Sequence, residues 1–414
     1  MAEKPLGLII FSTAYSIEEI GKYKLAVFHS SKNPQNYFSM CLVINPLAFS
    51  HNQNRNDKNS FGIKRAQIAD SVFQVDIIKN DHQKKFKLLS LNIVVFKVIL
   101  EIVLFLRKYN VPIIRGDDAL LSGILALILS RISRKRTLLA YWGNTKRIRR
   151  DTGLPIMKRL FKSFEREERM EKRVLQRAHL VVTENHDNKV AAMDSGCSSD
   201  KIRVIGLGGT INASHMVNLS QRLPIKDAQI NRKTLDFTNS WLCISRLEPV
   251  KKVQDLIVIQ SYVIESIPNS ILCIIGEGSQ FTELKNLVSK LSLDNNVFFL
   301  GYRDQEWISN FAPNFCLQAA PLSGRSLLEL ALAGLPAVAY DIDWHSEIVK
   351  PEQTGFLVEP GDVKSFANSV IYLLQNENKR ELFSSNILRL ARNKVLLEQK
   401  SNITNLYNEI IAKC

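Results

Sequence analysis

The sequence predicts an α/β protein of two domains built on parallel sheets. Two observations carry that expectation. Short apolar runs alternate with stretches of helical periodicity along the whole chain, the pattern left by βαβ units. The 414 residues, 45% of them hydrophobic, also suffice to bury two cores of ordinary domain size. There is no internal repeat and no long Gly/Ser- or Pro-rich linker.

In the amino-terminal half, strands are expected near Leu6–Phe11, Leu25–Phe28, Cys41–Ile44, Val72–Ile77, Val111–Ile114, Thr137–Tyr141, Leu180–Thr183 and Ile202–Ile205. Helices are expected at Lys84–Tyr109, Asp118–Ile132 and Ile156–Gln176. The Asn-rich stretch 52–59 reads as a surface loop. Residues 213–238 lack periodicity and mark a linker between a first domain, 1–212, and a second, 239–395. The second domain reads more cleanly. Strands at 240–244, 270–275, 296–300, 314–318 and 336–340 alternate with helices at 253–266, 279–291, 304–310, 325–333, 363–376 and 378–392. Residues 396–414 carry a last helix.

Composition narrows the function classes. Six scattered cysteines form no Cys-x-x-Cys pair, and Cys243, Cys273 and Cys316 fall in apolar strands. Buried thiols in a reducing cytosol are the expectation. Seven histidines without paired spacing give no metal-site signal. The apolar run Leu6–Phe11 is short and soon followed by Glu18 and Glu19, so it reads as a first strand, not a signal peptide. The segment Leu88–Leu106 is apolar enough to consider a membrane span, but it contains Asn92, Lys97 and Glu101. Each charge would cost about 2.5–3.5 kcal/mol at a bilayer centre. Lys97 and Glu101 have the spacing of a helical ion pair. A helix packed on the first sheet is therefore expected.

The net charge of +15 is concentrated. Residues 131–177 hold sixteen Lys or Arg against five Asp or Glu, interleaved with Ile156, Leu160, Phe161 and Phe164. Such a run is a solvated helix face, or a basic helix with an apolar side that suits an anionic membrane surface. The membrane reading is preferred, and a nucleic-acid partner is not expected.

Two segments point to chemistry. Residues Ser323 to Pro336 read as a loop, one short helix and a turn into Ala337–Tyr340. Ser323, Gly324 and Arg325 would leave amides open at a helix start, which attracts phosphate. Glu329 lies one turn inside. Ile244 to Lys252 follows an apolar strand and places Arg246 and Lys251 on the next loop, a forked donor and a point charge suited to a diphosphate.

With these segments, residues 239–395 resemble the nucleotide-sugar domain of the GT-B retaining glycosyltransferases of family 4. The matching pieces are Ser245-Arg246-Leu247 with Lys251, Ile275 to Gly278, Val297 to Tyr302, Gly324 to Pro336, Glu347 to Val349, and Thr354 to Asp362. Residues 1–238 match loosely, through Arg173 to Glu184 and Lys201 to Gly208. The resemblance implies two Rossmann-like domains facing across a cleft, and a final helix that commonly returns to the first domain. It implies transfer of a sugar from a UDP- or GDP-sugar, with retention, without a metal or other cofactor.

Residue by residue, Arg246 and Lys251 would stabilise the leaving diphosphate. Lys252 stands where the family usually has Gly, and could compete with Lys251. Glu329 would bind the ribose hydroxyls, though its spacing from Ser326 also fits a capping box. Gly276 and Gly278 would allow close approach to the nucleotide, and Tyr302 and Arg303 lie where the base is expected. The family's first motif glutamate is replaced here by Pro321, and Ser323, Gly324 and Arg325 are candidates for part of its work. On the acceptor side Asp117, Trp142, Asn144, His186 and Gly208 follow strands of the first domain. Asp117 and His186 could equally cap helices. The expected acceptor is a glycan or lipid-linked sugar of bacterial surface polysaccharide synthesis, met at the inner face of the plasma membrane. The rivals are a degenerate binding or scaffold subunit and a sugar-nucleotide hydrolase or phosphorylase on the same scaffold.

Overall fold

The computed structural model describes residues 4–22, 33, 36–48, 61–79, 87–158, 160–206, 229–230, 233–234, 237–400 and 403–412. They form two compact units: Met1–Ile205 with Ser401–Cys414, and Gly206–Lys400. The strand expected at Leu25–Phe28 and the loop at 52–59 lie outside the described residues, as do Leu207, Gly208, Gly209 and Cys414.

The first unit runs β1 (Leu6–Phe11), α1 (Ile17–Lys22), β2 (Met40–Ala48), β3 (Phe61–Ala69), β4 (Val72–Lys79), α2 (Lys87–Lys108), β5 (Asn110–Gly116), α3 (Leu121–Ser133), β6 (Arg136–Tyr141), α4 (Thr145–Thr152), α5 (Phe164–Arg177), β7 (Leu180–Thr183), α6 (His186–Asp194) and β8 (Ile202–Val204). Its sheet has the order β3-β4-β2-β1-β5-β6-β7-β8. All pairings are parallel except β3 with β4. The sequence reading missed β3. It is an antiparallel edge strand carrying Lys64, Arg65 and Gln67, so it lacks the apolar run that marks a buried parallel strand.

Helix α2 lies against the sheet, but only along one side. Val94, Val98 and Ile102 are buried, whereas Phe96 is 66% exposed and Ile99, Leu100 and Leu104 are also exposed. Glu101 pairs with Arg65 of β3 at 2.7 Å, which replaces the expected bridge to Lys97. Among the described residues, no helix is long and apolar enough to cross a membrane.

Of the helix expected at Ile156–Gln176 only Phe164–Arg177 forms, and a separate helix, α4, precedes it. α4 ends at Gly153, whose φ of 64° closes it in a left-handed cap. Pro155 follows, and α5 starts only at Phe164, capped by Ser163. A buried ionic cluster fixes the break. Arg149, 1% exposed, binds Glu167 at 2.7 Å and Glu171 at 2.5 Å. Glu167 also accepts from the backbone N–H groups of Ile156 and Met157, and so holds the intervening turn. Leu154, Ile156, Leu160 and Phe164 are exposed on this turn, not on a continuous amphipathic helix. Arg159 lies outside the described residues.

The second unit opens on a small hairpin, β9 (Gln229–Ile230) and β10 (Lys233–Thr234). It continues with β11 (Ser240–Ile244), α7 (Val253–Ser266), β12 (Ile271–Ile275), α8 (Phe281–Lys290), β13 (Val297–Gly301), α9 (Gln305–Phe311), β14 (Leu317–Ala320), α10 (Arg325–Leu332), β15 (Ala337–Tyr340), α11 (His345–Ile348), β16 (Gly355–Val358), α12 (Val363–Gln375) and α13 (Glu377–Lys400). The sheet is parallel throughout, in the order β13-β12-β11-β14-β15-β16. Alternate residues of one strand serve different cores. Leu242 packs with α10 and α13, whereas Trp241 and Cys243 pack with α7 and α12. Burial of both faces explains the unbroken apolar strands.

α13 runs through the point where the sequence reading began the last helix. The chain then forms α14 (Ile403–Ile411), whose Leu406, Tyr407 and Ile410 join the first unit's core beside Leu8 and Ile10. Both units are Rossmann-like, as expected.

Candidate functional site

The second sheet reverses its winding between β11 and β14. From β11 the chain steps outward to β12 and β13, crosses back to β14, and then proceeds the other way to β15 and β16. Loops leaving the carboxyl ends of β11 and β14 therefore diverge, and open α/β sheets hold ligands in such a crevice. The β11 loop carries Arg246 and Lys251. The β14 loop carries Ser323 and Gly324 and leads into α10. Ser326 Oγ donates to the Ile244 carbonyl at 2.9 Å, fastening the first turn of α10 to the end of β11.

Backbone packing shapes the β11 loop. A Cβ on Gly276 would lie 1.9 Å from the Ser245 carbonyl oxygen, and one on Gly278 would lie 2.3 Å from that of Leu247. The space that these two glycines open is thus filled by the loop bearing Arg246. Leu247 N–H donates to the Glu277 carbonyl at 2.9 Å, and Glu248 accepts from Ser279 N–H at 3.1 Å and its hydroxyl at 2.7 Å. Arg246 is exposed, and Lys251 ends the 3-10 turn Pro249–Lys251. Lys252 follows with φ 54°, a left-handed conformation that explains why glycine suits this position.

The β14 loop is pinned by a residue that the sequence reading missed. His345 is fully buried. Its Nδ1 donates to the Tyr340 carbonyl at 2.8 Å, and its Nε2 accepts from Ser323 N–H at 3.1 Å. The shorter contacts describe a neutral imidazole with the proton on Nδ1, and Nε2 also lies 3.3 Å from the Ser323 carbonyl oxygen. Burial, first of all, holds its pKa below the ordinary value, and the charge of Lys251 acts in the same direction. The Ser323 amide is therefore engaged within the protein and is not open to a ligand. A lone histidine beyond a strand gave no sequence signal for this role.

Glu329 is 7% exposed and lies inside α10. The capping-box alternative fails. Gly324 is the N-cap without a side-chain cap, and Ser326 has its hydroxyl on Ile244. Instead Glu329 Oε1 contacts Arg325 Nε at 2.8 Å, one helical turn back. Pro321 is buried in the same loop. Tyr302 and Arg303 follow β13, two strands from β11, which is roughly 10 Å away at sheet spacing. Arg303 lies over the Trp307 ring at 5.5 Å, and its Nη1 donates to the Tyr302 carbonyl at 2.9 Å.

In the first unit the sheet reverses between β1 and β5, and the acceptor candidates follow β5, β6 and β7. Most of their side chains have internal work. Asp117 Oδ1 pairs with Arg115 Nε at 2.7 Å. Burial works against the charge of Arg115, but Asp117 and Tyr407 more than restore it and raise its pKa. Asp118, not Asp117, holds the start of α3, accepting from the N-cap Leu120 N–H at 2.8 Å and from Ser122 N–H at 3.1 Å. Asn144 caps α4 by accepting from Arg147 N–H at 2.9 Å. Asn185, not His186, caps α6, and His186 is exposed at that helix's first position. Trp142 is exposed, with the Arg115 guanidinium 5.9 Å from its ring centre. Among the described residues no group of three His, Cys, Asp or Glu could hold a metal ion.

Residues 225–389 match the family model of glycosyl transferases group 1. That match lies within the second unit and takes in the crevice between β11 and β14. The chain is 28% identical over 156 residues to the poly(glycerol-phosphate) alpha-glucosyltransferase of Bacillus subtilis (strain 168), covering 36% of this chain and 22% of that protein. It is 26% identical over 245 residues to the UDP-Gal:alpha-D-GlcNAc-diphosphoundecaprenol alpha-1,3-galactosyltransferase of Escherichia coli, covering 56% of this chain and 60% of that protein. These matches span less than two thirds of either relative. Among solved structures, Anabaena HepE in complex with UDP-glucose superposes with a TM-score of 0.66 at 18% identity, covering 97% of this chain and 99% of that one. That likeness establishes the GT-B fold.

Proposed function

We propose that the protein is a glycosyltransferase that moves a sugar from a UDP- or GDP-sugar to a glycan or lipid-linked acceptor. The observation that carries this is the convergence of Arg246, Lys251 and the start of α10 on the crevice between β11 and β14. Departure of a nucleoside diphosphate builds negative charge, and cations fixed in advance lower that barrier. In this reading Glu329 accepts from the ribose hydroxyls. The ribose would face its ion contact with Arg325, so donor binding and that contact are coupled. Tyr302 and Arg303 stand one nucleotide's reach away, where a base would lie.

The proposal extends to retention at the anomeric carbon and to catalysis without a metal, both implied by the family resemblance. A role in surface polysaccharide synthesis is supported by the relatives, which are named for a poly(glycerol-phosphate) and a diphosphoundecaprenol acceptor. It also extends to a cytoplasmic protein that meets an anionic membrane surface. Exposed Leu154, Ile156, Leu160 and Phe164, set among the cations of residues 131–177, support that contact.

A panel of UDP- and GDP-sugars, each with and without acceptor, tests the reading. Transfer should require acceptor, survive a chelator and keep the anomeric configuration. Nucleotide release at the same rate without acceptor would make the protein a hydrolase. Glu329→Gln should weaken nucleotide binding more than the loss of its contact with Arg325 lowers the melting temperature. Charge reversal at Lys158 and Lys162 should reduce flotation with anionic vesicles and leave nucleotide binding intact.

A further inference from the structure

A second concave site lies at the opposite ends of the first unit's strands. It is a cavity of about 610 Å³ where β1, β5 and β6 begin. Arg131, Arg134, Lys135, Arg136 and Arg177 line it together with His179, and none of the described residues lining it is acidic. Strands of the first sheet run about six residues, or roughly 20 Å, so the acceptor-candidate loops at their carboxyl ends lie well away.

Three elements bring these cations together. Arg131 comes from the last turn of α3, and Arg177 from the last turn of α5. The negative ends of those helices account for these two. They do not account for Lys135 and Arg136, which with the C-cap Arg134 lead from α3 into β6. That turn is built rather than loose. Lys135 N–H donates to the Ser130 carbonyl at 2.8 Å, Ser130 Oγ to the Lys135 carbonyl at 2.9 Å, and Thr137 Oγ1 to Ser130 Oγ at 2.7 Å. His179 is oriented as well. Its Nδ1 accepts from Thr137 N–H at 3.0 Å, which leaves Nε2 as a donor. Burial, then the charges of Arg136 and Lys201, keeps its pKa below the ordinary value. Like charges gathered around one cavity repel each other, and an anion seated among them removes that repulsion.

The geometry points to an anion-binding site in this cavity for a ligand with two or more phosphate charges. Guanidinium groups pair with phosphate oxygens through two parallel hydrogen bonds, and four of the five cations are arginines. The volume is that of a small-molecule pocket, about 300–1,000 Å³, and suits more than one phosphate group. The ligand is either a soluble phosphate ester or the headgroup of an anionic lipid. Ile132, 78% exposed beside Arg131, supplies an apolar neighbour that a lipid would also use.

Calorimetric titration with inorganic tripolyphosphate, using the full chain, tests the site. The Arg246→Ala/Lys251→Ala variant serves as the reference, so that the crevice of the second unit is not what is read. Binding should persist there and weaken with salt. Adding Arg134→Gly and Lys135→Gln should then lower the affinity at least tenfold. Arg134 has φ 56°, so glycine relieves its backbone and the unliganded melting temperature should hold or rise. Loss of binding in a variant of unimpaired stability excludes misfolding as the cause. Flotation with phosphatidylglycerol and phosphatidylcholine vesicles separates the sources. Binding to the first alone, lost in the same variant, assigns a lipid headgroup. Tripolyphosphate binding lost in this variant, with vesicle binding absent or unchanged by the two substitutions, assigns a soluble ester. Absence of both, or equal binding by the Arg134→Gly/Lys135→Gln variant, overturns the site and leaves a solvated basic surface.

Discussion

The carboxyl ends of the two sheets are organised by different forces. In the second unit the segment bearing Arg246 lies backbone on backbone, and the side chains that fasten its neighbourhood are Glu248, Ser326 and His345. Gly276 and Gly278 admit the Ser245–Leu247 segment, and one buried imidazole grips the β14 loop. This leaves Arg246 exposed and Lys251 at the end of a turn. In the first unit the corresponding loops are held by the candidate side chains themselves. Asp117 is bound to Arg115, and Asn144 is spent on a helix cap. The contrast teaches that a loop fixed through its backbone keeps its side chains available for a ligand. A loop fixed through side chains has fewer to offer.

The sharpest way to break this contrast is to add one methyl group. Gly276→Ala would force a Cβ against Ser245 at 1.9 Å, on a backbone with φ 139°. Overpacking of this kind costs typically 1–3 kcal/mol, and the strained φ adds to it, so a loss of about 3 kcal/mol is expected in chemical denaturation. Gly116→Ala in the first unit meets its nearest atom at 2.9 Å and should lose less. Equal losses at the two glycines would remove the distinction between the units.

Arg246→Ala and Lys251→Ala come next. Each should lower turnover about 10²-fold, the size of a lost charge-stabilising contact, with little change in melting temperature. Near-normal turnover in both would detach these cations from the chemistry.

The grip of His345 has a pH signature. In the unfolded chain its imidazole titrates near the ordinary value of 6.5, whereas in the fold the value is lower. The unfolded state therefore binds more protons below that point, and stability falls as pH drops from 6.5 toward the lowered folded value. Above 6.5 the contribution is constant. Melting curves for wild type and His345→Gln, compared between pH 5 and 8, should show the acid-side slope reduced in the variant. Parallel curves would show that another group carries the slope.

The smallest effect sharpens the account of the β11 loop. Lys252→Gly should raise stability by about 1 kcal/mol by relieving the left-handed backbone. Retained turnover in that variant would also leave Lys251 as the working cation.

These forces also decide what the sequence made legible. The parallel sheets were readable because strands such as β11 and β12, covered on both faces, are apolar runs bounded by glycine and polar turns. β3 was not, because an edge strand alternates and carries charge. The helix at Thr145–Thr152 and the late start of the next at Phe164 were invisible for another reason. Arg149, Glu167 and Glu171 meet only in the fold, and a charge-rich stretch reads as solvated until its partners are known. In the candidate site, the positions of Arg246, Lys251 and Glu329 on their loop and helix followed from local pattern. Their anchoring did not. His345, at the start of α11, reaches back to Ser323 across a distance in sequence that no spacing rule encodes.

The return of α14 to the first core affects how the molecule is made. Leu406, Tyr407 and Ile410 are synthesised only after the whole second unit, yet they close a core begun at Leu8. On the ribosome the second unit holds every one of its described strands and helices once residue 400 has emerged, while the first still waits for α14. Domains generally fold as units in the order they are made. Here the half translated first completes its fold last, and Arg115 reaches its Tyr407 partner only at that final step.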